Sequence, residues 1–166
     1  MQTQIQQASN YLSIGNGIIS LPTEKSKPAK SLFKLKTLIY GCPKIGKSTF
    51  CSQIPDALFL DTESGLEFLD VYKVKITRWE DIIQVVNLIA GTQHQFKTVV
   101  IDTVDNFYDY CTDFFCRQYG LANIADMKNN AGYGRVNSEI KRVLNAFSML
   151  PYGVFLTAHT NTKEEK

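Results

Sequence analysis

The side chains best suited to chemistry lie in one short stretch, GCPKIGKS, from Gly41 to Ser48. Glycine at both ends of the loop lets the backbone curl so that successive amides point at phosphate oxygens. Lys47 can neutralise the outer phosphates of a nucleotide, and Ser48 can ligate Mg2+. The spacing therefore predicts a phosphate-binding loop between a strand and a helix. The residues expected to contact the nucleotide are Gly41, Cys42, Pro43, Lys44, Ile45, Gly46, Lys47, Ser48 and Thr49.

A second stretch, TVVIDTVDN at 98–106, ends an apolar β-branched run in Asp102. A carboxylate at the end of a buried strand is held rigidly at the carboxyl edge of the sheet. There it can bind Mg2+ together with Ser48, so these two residues form the predicted metal site. Thr103 follows where many ATP hydrolases have a glutamate, so either the chain binds nucleotide without hydrolysing it or the base that activates water lies elsewhere.

Three acids at predicted strand ends are candidates for that base: Asp61, Glu63 and Asp105. Ligands of open α/β sheets bind along the carboxyl edge, which is where all three are expected. Asp61 is also explained as a simple strand end, and Asp105 as the cap of the following helix. Glu63 lies in a polar turn and has the longer reach, which makes it the best candidate to polarise a water.

Apolar strands alternate with helices along the chain. KLKTLIY runs directly into the phosphate-binding loop, and the helix after the loop is expected to end near Pro55, because proline cannot extend a helix. Further strands are predicted at ALFLD (57–61), at YKVKI (72–76) as an edge strand, at TVVID and at GVFLTAHT. This alternation predicts a parallel α/β sheet.

Three longer helices lie between these strands. The first begins at TRWE, where Thr77 and Glu80 are predicted to form a capping box. The second follows TVVID and is expected to end at Gly120, with its apolar and aromatic side chains in the core. The third covers 136–150, after a polar segment at 121–135 that is predicted to be a mobile loop.

The composition is that of one globular domain: 166 residues, 44% hydrophobic and 20% charged. We expect an N-terminal segment and linker at 1–30 and the core at 31–166. A net charge of +2 does not indicate a nucleic-acid or membrane partner. The four cysteines form no CxxC pair, which disfavours a zinc site and favours reduced thiols in a cytosol. No secretory signal and no membrane-spanning run is recognisable.

The stretch FLDTE at 59–63 resembles the FIDAE strand of RecA, which follows the phosphate-loop strand and carries the catalytic glutamate. Together with the two motifs above, it makes the chain similar to the RecA-like recombination ATPases, and especially to the short, single-domain Sak-type ATPases of phages, over about 32–160. The resemblance implies a three-layer α/β/α P-loop NTPase fold with a mainly parallel sheet, in which FLDTE lies beside TVVID. It also implies a catalytic set of Lys47, Glu63 as the base, and His159 as a sensor of the γ-phosphate.

The same resemblance implies Mg2+-dependent ATP hydrolysis coupled to single-stranded DNA binding in phage-type recombination. A homo-oligomer, ring or filament, in the cytosol of the host cell is expected, with 1–21 docking on a neighbour. The best candidates for DNA contact are Lys128, Arg135, Lys141 and Arg142. RecA-like cores continue with further strands where this sequence stops at NTKEEK, so a fragment or a naturally short core is expected.

Two alternatives to the recombination ATPase remain open from the sequence. A nucleotide-dependent loader or interaction module for a replication protein would use the same phosphate-binding loop. A GTPase would require an NKxD motif late in the chain, which NTKE at 161–164 only approximates.

Overall fold

The computed structural model describes 22–28 and 30–160, so predictions about 1–21 and the NTKE segment lie outside the described residues. One five-stranded sheet has the order β1-β5-β4-β2-β3, and every pairing is parallel, which confirms the predicted parallel sheet. The strands are β1 (Lys36–Gly41), β2 (Ala57–Asp61), β3 (Tyr72–Lys75), β4 (Thr98–Asp102) and β5 (Gly153–His159). The helices are α1 (Lys47–Cys51), α2 (Trp79–Gly91), α3 (Phe107–Tyr119) and α4 (Ala131–Met149).

Helices on both faces of the sheet make the three-layer α/β/α fold. Strands β2 and β4 are buried along their whole length, as expected for strands covered on both sides. On one face α1 packs through Cys51 against Phe59, Val100 and Phe155. On the other face α2, α3 and α4 cover the apolar side chains that alternate with these along the strands. The expected position of FLDTE beside TVVID is confirmed, with Asp61 opposite Asp102.

The helix layer is closed around Trp79, which is completely buried at the start of α2. Its ring contacts Phe107 of α3 edge to face, with the ring centroids 5.5 Å apart. Its indole N–H donates to Glu139 of α4 at 3.1 Å, so one side chain joins three helices. The left-handed backbone of Gly120 (φ 63°) ends α3 as predicted.

The predicted capping box at the start of α2 is wrong in its residues. The carboxylate of Asp81, not Glu80, accepts from the backbone N–H groups of Thr77 and Arg78, at 3.0 and 3.1 Å. The helix begins at Trp79, one residue later than the TRWE pattern implied, and this shift moves the capping role to the next acid. Glu80 instead forms a salt bridge with Arg117 of α3, whose hydrogen bonds lower the pKa of Glu80.

The predicted mobile loop at 121–135 is also wrong. Short 3-10 turns occupy Ile124–Asp126 and Lys128–Asn130, and α4 begins at Ala131. Close packing explains the helical start of a glycine-containing segment: a Cβ on Gly132 would lie 2.2 Å from the carbonyl oxygen of Ile124. The contact between these segments outweighs the poor helix propensity of glycine.

Candidate functional site

A cleft of about 480 Å3 opens at the carboxyl edge of the sheet, at the junction of the phosphate-binding loop with β2, β4 and β5. The elements that meet there are far apart in the chain, from the loop after β1 to the end of β5, but their strand ends share one edge. The residues that line the cleft are Pro43, Lys44, Gly46, Lys47, Ser48, Thr49, Glu63, Gly65, Asp102, Thr103 and His159.

Within the described residues, no helix has the length and apolar character needed to cross a membrane.

The loop has the backbone geometry that its glycine spacing predicted. Gly46 adopts a left-handed conformation (φ 98°) directly before α1, which favours glycine at this position. Lys47 is only 7% exposed, and its ammonium donates to the carbonyl oxygens of Gly41 (2.9 Å) and Cys42 (3.1 Å). Because these partners belong to the loop itself, the lysine is held over the loop at the place where phosphates would bind.

The predicted metal ligands lie in the same cleft. Asp102 ends β4, is 6% exposed, and accepts a hydrogen bond from the Thr157 hydroxyl of β5. A carboxylate and the Ser48 hydroxyl are the hard oxygen ligands that Mg2+ prefers, so this donor set fits the ion. Cys51 does not compete as a ligand, because burial and the nearby Asp102 charge raise the pKa of its thiol to about 12.

Glu63 and His159 face each other in the cleft, with His159 Nδ1 3.4 Å from Glu63 Oε1. The hydroxyl of Thr103 donates to Glu63 Oε1 at 2.7 Å. Asp105 holds the histidine twice, since its Oδ2 accepts from the His159 backbone N–H at 2.9 Å and lies 2.8 Å from Nδ1. The residues predicted as base and sensor therefore lie in one polar cluster with Thr103 and Asp105.

Asp105 does not have the capping role considered for it. The residue before α3 is Asn106, whose side-chain amide donates to the carbonyl oxygen of Thr62 instead of capping the helix. Asp105 instead contacts β5, where its Oδ2 accepts from the His159 backbone N–H and lies close to ring Nδ1. Sequence reasoning missed this contact and the roles of Thr103 and Thr157, and short polar side chains at strand ends were the available signal.

The residues from 34 to 166 match the family model described as the AAA domain. This chain belongs to the AAA domain family. It is also similar to the SPbeta prophage-derived uncharacterized protein YorG of Bacillus subtilis (strain 168), with 27% identity over 139 residues. That alignment covers 79% of this chain and 42% of YorG, so the chain spans less than half the length of that relative. Family membership supports nucleotide binding by a P-loop ATPase.

The basic residues predicted to contact DNA lie away from the cleft of this AAA domain, because none of them lines it. Arg142 forms a salt bridge with Glu139 at 2.7 Å on the same helix, which neutralises its charge locally. Arg135 lies over the ring of Tyr119, 5.7 Å from its centroid, next to a groove that Lys128 also lines. Lys141 is exposed on α4.

Proposed function

We propose that this AAA domain binds ATP with Mg2+ in the cleft and hydrolyses the γ-phosphate. One observation supports the proposal above all others. The phosphate-binding loop, Asp102, Glu63 and His159 come from four different strand ends and yet line a single cleft. A structural role for any one of them would not require the other three to converge.

Different residues of the cleft have separate roles in the proposed reaction. Lys47 exchanges the carbonyl oxygens of its loop for the β- and γ-phosphate oxygens of ATP. Ser48 and Asp102 would hold Mg2+, which supplies neutralisation of the phosphate charge when bound. Glu63 orients a water towards the γ-phosphate and accepts its proton.

His159 is the sensor of the γ-phosphate in this scheme, and its contacts determine how it acts. With Nδ1 directed at Asp105 and Glu63, its ring is held in one orientation at the edge of the cleft. From there it can contact the γ-phosphate and transmit its loss to Asp105 and the start of α3. A sensor that lies beside the base links the presence of the γ-phosphate to the position of Glu63.

We further propose that turnover is coupled to single-stranded DNA in phage-type recombination by a homo-oligomer of this chain. The prophage origin of YorG supports a phage setting, and free thiols at all four cysteines fit the cytosol of a host cell. After the pairing of Arg142 with Glu139, the better candidates for phosphate contact are Lys128, Arg135 and Lys141.

Phosphate release with and without single-stranded DNA tests the proposal. Wild-type protein is expected to release phosphate from ATP in preference to GTP, and faster with DNA. An equal rate of turnover with and without DNA would favour a loader or interaction module. Equal or faster hydrolysis of GTP than of ATP would favour a GTPase.

Lys47→Ala is expected to lose nucleotide binding and turnover, because nothing else in the loop neutralises the phosphates from that position. Lys97→Ala is the control, since Lys97 is an exposed lysine that precedes β4 and does not line the cleft. Unchanged turnover in Lys47→Ala would refute the assignment of the cleft.

A further inference from the structure

Asp61 is a buried carboxylate that the proposed reaction leaves without a role. It ends β2, is 3% exposed, and does not line the cleft. Its Oδ1 accepts no hydrogen bond from any described residue. A buried carboxylate oxygen without a partner is destabilising, which points to a donor supplied by a bound ion, ligand or water.

Asp61 has another buried carboxylate as its neighbour. It lies directly opposite Asp102, and parallel strands are about 4.8 Å apart. Phe59 and Val100, two residues earlier on the same strands, both pack on the α1 side of the sheet. Because side chains two residues apart share a face, Asp61 and Asp102 also point to the α1 side, where Ser48 begins the helix with Lys47.

No cation of the described residues forms a salt bridge with either carboxylate, although the exposed Lys75 lies opposite Asp61 on β3. The ammonium of Lys47 is bound to loop carbonyls, and Thr157 reaches Asp102 alone. Two buried negative charges on adjacent strands repel each other. A divalent cation at this edge would remove the repulsion and give Asp61 a partner.

We propose that Asp61 is part of the cation site, as the acceptor of a hydrogen bond from a water bound to the Mg2+ that Asp102 and Ser48 hold. The inference rests on the proposed function. Mg2+ keeps several of its waters when it binds a protein, so a carboxylate behind the direct ligand has a donor to receive. Its position beside Asp102 on the neighbouring strand, outside the cleft lining, suits contact through water and not with the nucleotide.

Asp61→Asn tests this role because asparagine keeps the shape and removes the charge. Mn2+ binding is measured by electron paramagnetic resonance in the presence of a non-hydrolysable ATP analogue, with melting temperatures in EDTA. We expect Mn2+ affinity to fall about 10-fold or more, as for other residues that support a metal ligand. The metal-free variant is expected to melt no lower than wild type, since a repulsion is gone.

Two further variants complete the experiment. Asp70→Asn removes an exposed carboxylate from the segment before β3 and should change neither quantity. Asp61→Glu keeps the charge and should retain more Mn2+ affinity than Asp61→Asn.

Each result decides between distinct readings. If wild-type protein binds no Mn2+ with the nucleotide analogue, the proposed function itself fails. If wild type binds and Asp61→Asn binds equally well, the Asp61 charge does not support the cation, and the inference is overturned. A variant that melts lower in EDTA, or does not fold, also overturns it, because Asp61 would then be structural.

Discussion

Thr103 follows Asp102 directly, at the position where many ATP hydrolases have a glutamate. Its hydroxyl donates to Glu63 Oε1 at 2.7 Å, so the residue in place of an acid holds the acid of the neighbouring strand. Its backbone N–H in turn donates to Thr62 Oγ1 at 2.8 Å. The two threonines thus position Glu63 without introducing a second base that could accept the proton of the attacking water.

Glu63→Gln is expected to slow ATP turnover by about 100-fold or more, the effect of losing a general base. Nucleotide binding should persist, because the amide keeps the shape and the Thr103 contact. Glu67→Gln is the control, since Glu67 is exposed and forms only a surface salt bridge with Lys73 at 3.5 Å. Phosphate release and the binding of a fluorescent ATP analogue separate the two effects, and full turnover in Glu63→Gln would place the base elsewhere.

At the scale of elements, the start of α4 depends on one glycine. Gly132 lies against Ile124, so that a Cβ would meet its carbonyl oxygen at 2.2 Å. Gly134, one half-turn further along the same helix, has no heavy atom within 4 Å of a built Cβ. The two glycines share a helix and differ only in what surrounds them.

Gly132→Ala is therefore expected to destabilise the protein by about 1–3 kcal/mol, as overpacking does. Gly134→Ala should be neutral or stabilise by up to about 1 kcal/mol, because alanine favours the helix. Urea unfolding of both variants measures the difference. Equal stabilities would mean that the segment at 124–132 moves aside at little cost.

At the scale of the whole molecule, the cleft joins four strand ends, so a ligand bound there stabilises the folded sheet as a unit. With MgATP at 100 times its Kd, the free energy of unfolding should rise by about 2.7 kcal/mol. For a chain of this size the melting temperature should increase by about 5–10 °C. Differential scanning calorimetry measures this increase. The Lys47→Ala variant should show no increase with MgATP. An increase in melting temperature in that variant would indicate a second binding site.

The sequence by itself determined the parallel α/β class, the strand positions and the phosphate-binding loop. These features are local: glycine spacing sets the loop, and continuous apolar runs mark strands that are buried on both faces. The placement of FLDTE beside TVVID came from the resemblance to RecA, and the sheet order confirms it. The helix boundaries at Trp79 and Ala131 did not follow from local pattern, because packing of Trp79 and Gly132 overrides propensity there.

Only the tertiary structure decided how the polar strand ends meet. The His159 contact with Asp105 and the Glu63 contact with Thr103 join residues 54 and 40 positions apart. The pairing of Asp61 with Asp102 depends on the register of β2 against β4. Alternating strands and helices indicate that polar ends share one edge, but side-chain partners follow from strand order and register, which are set by the packing of the whole sheet.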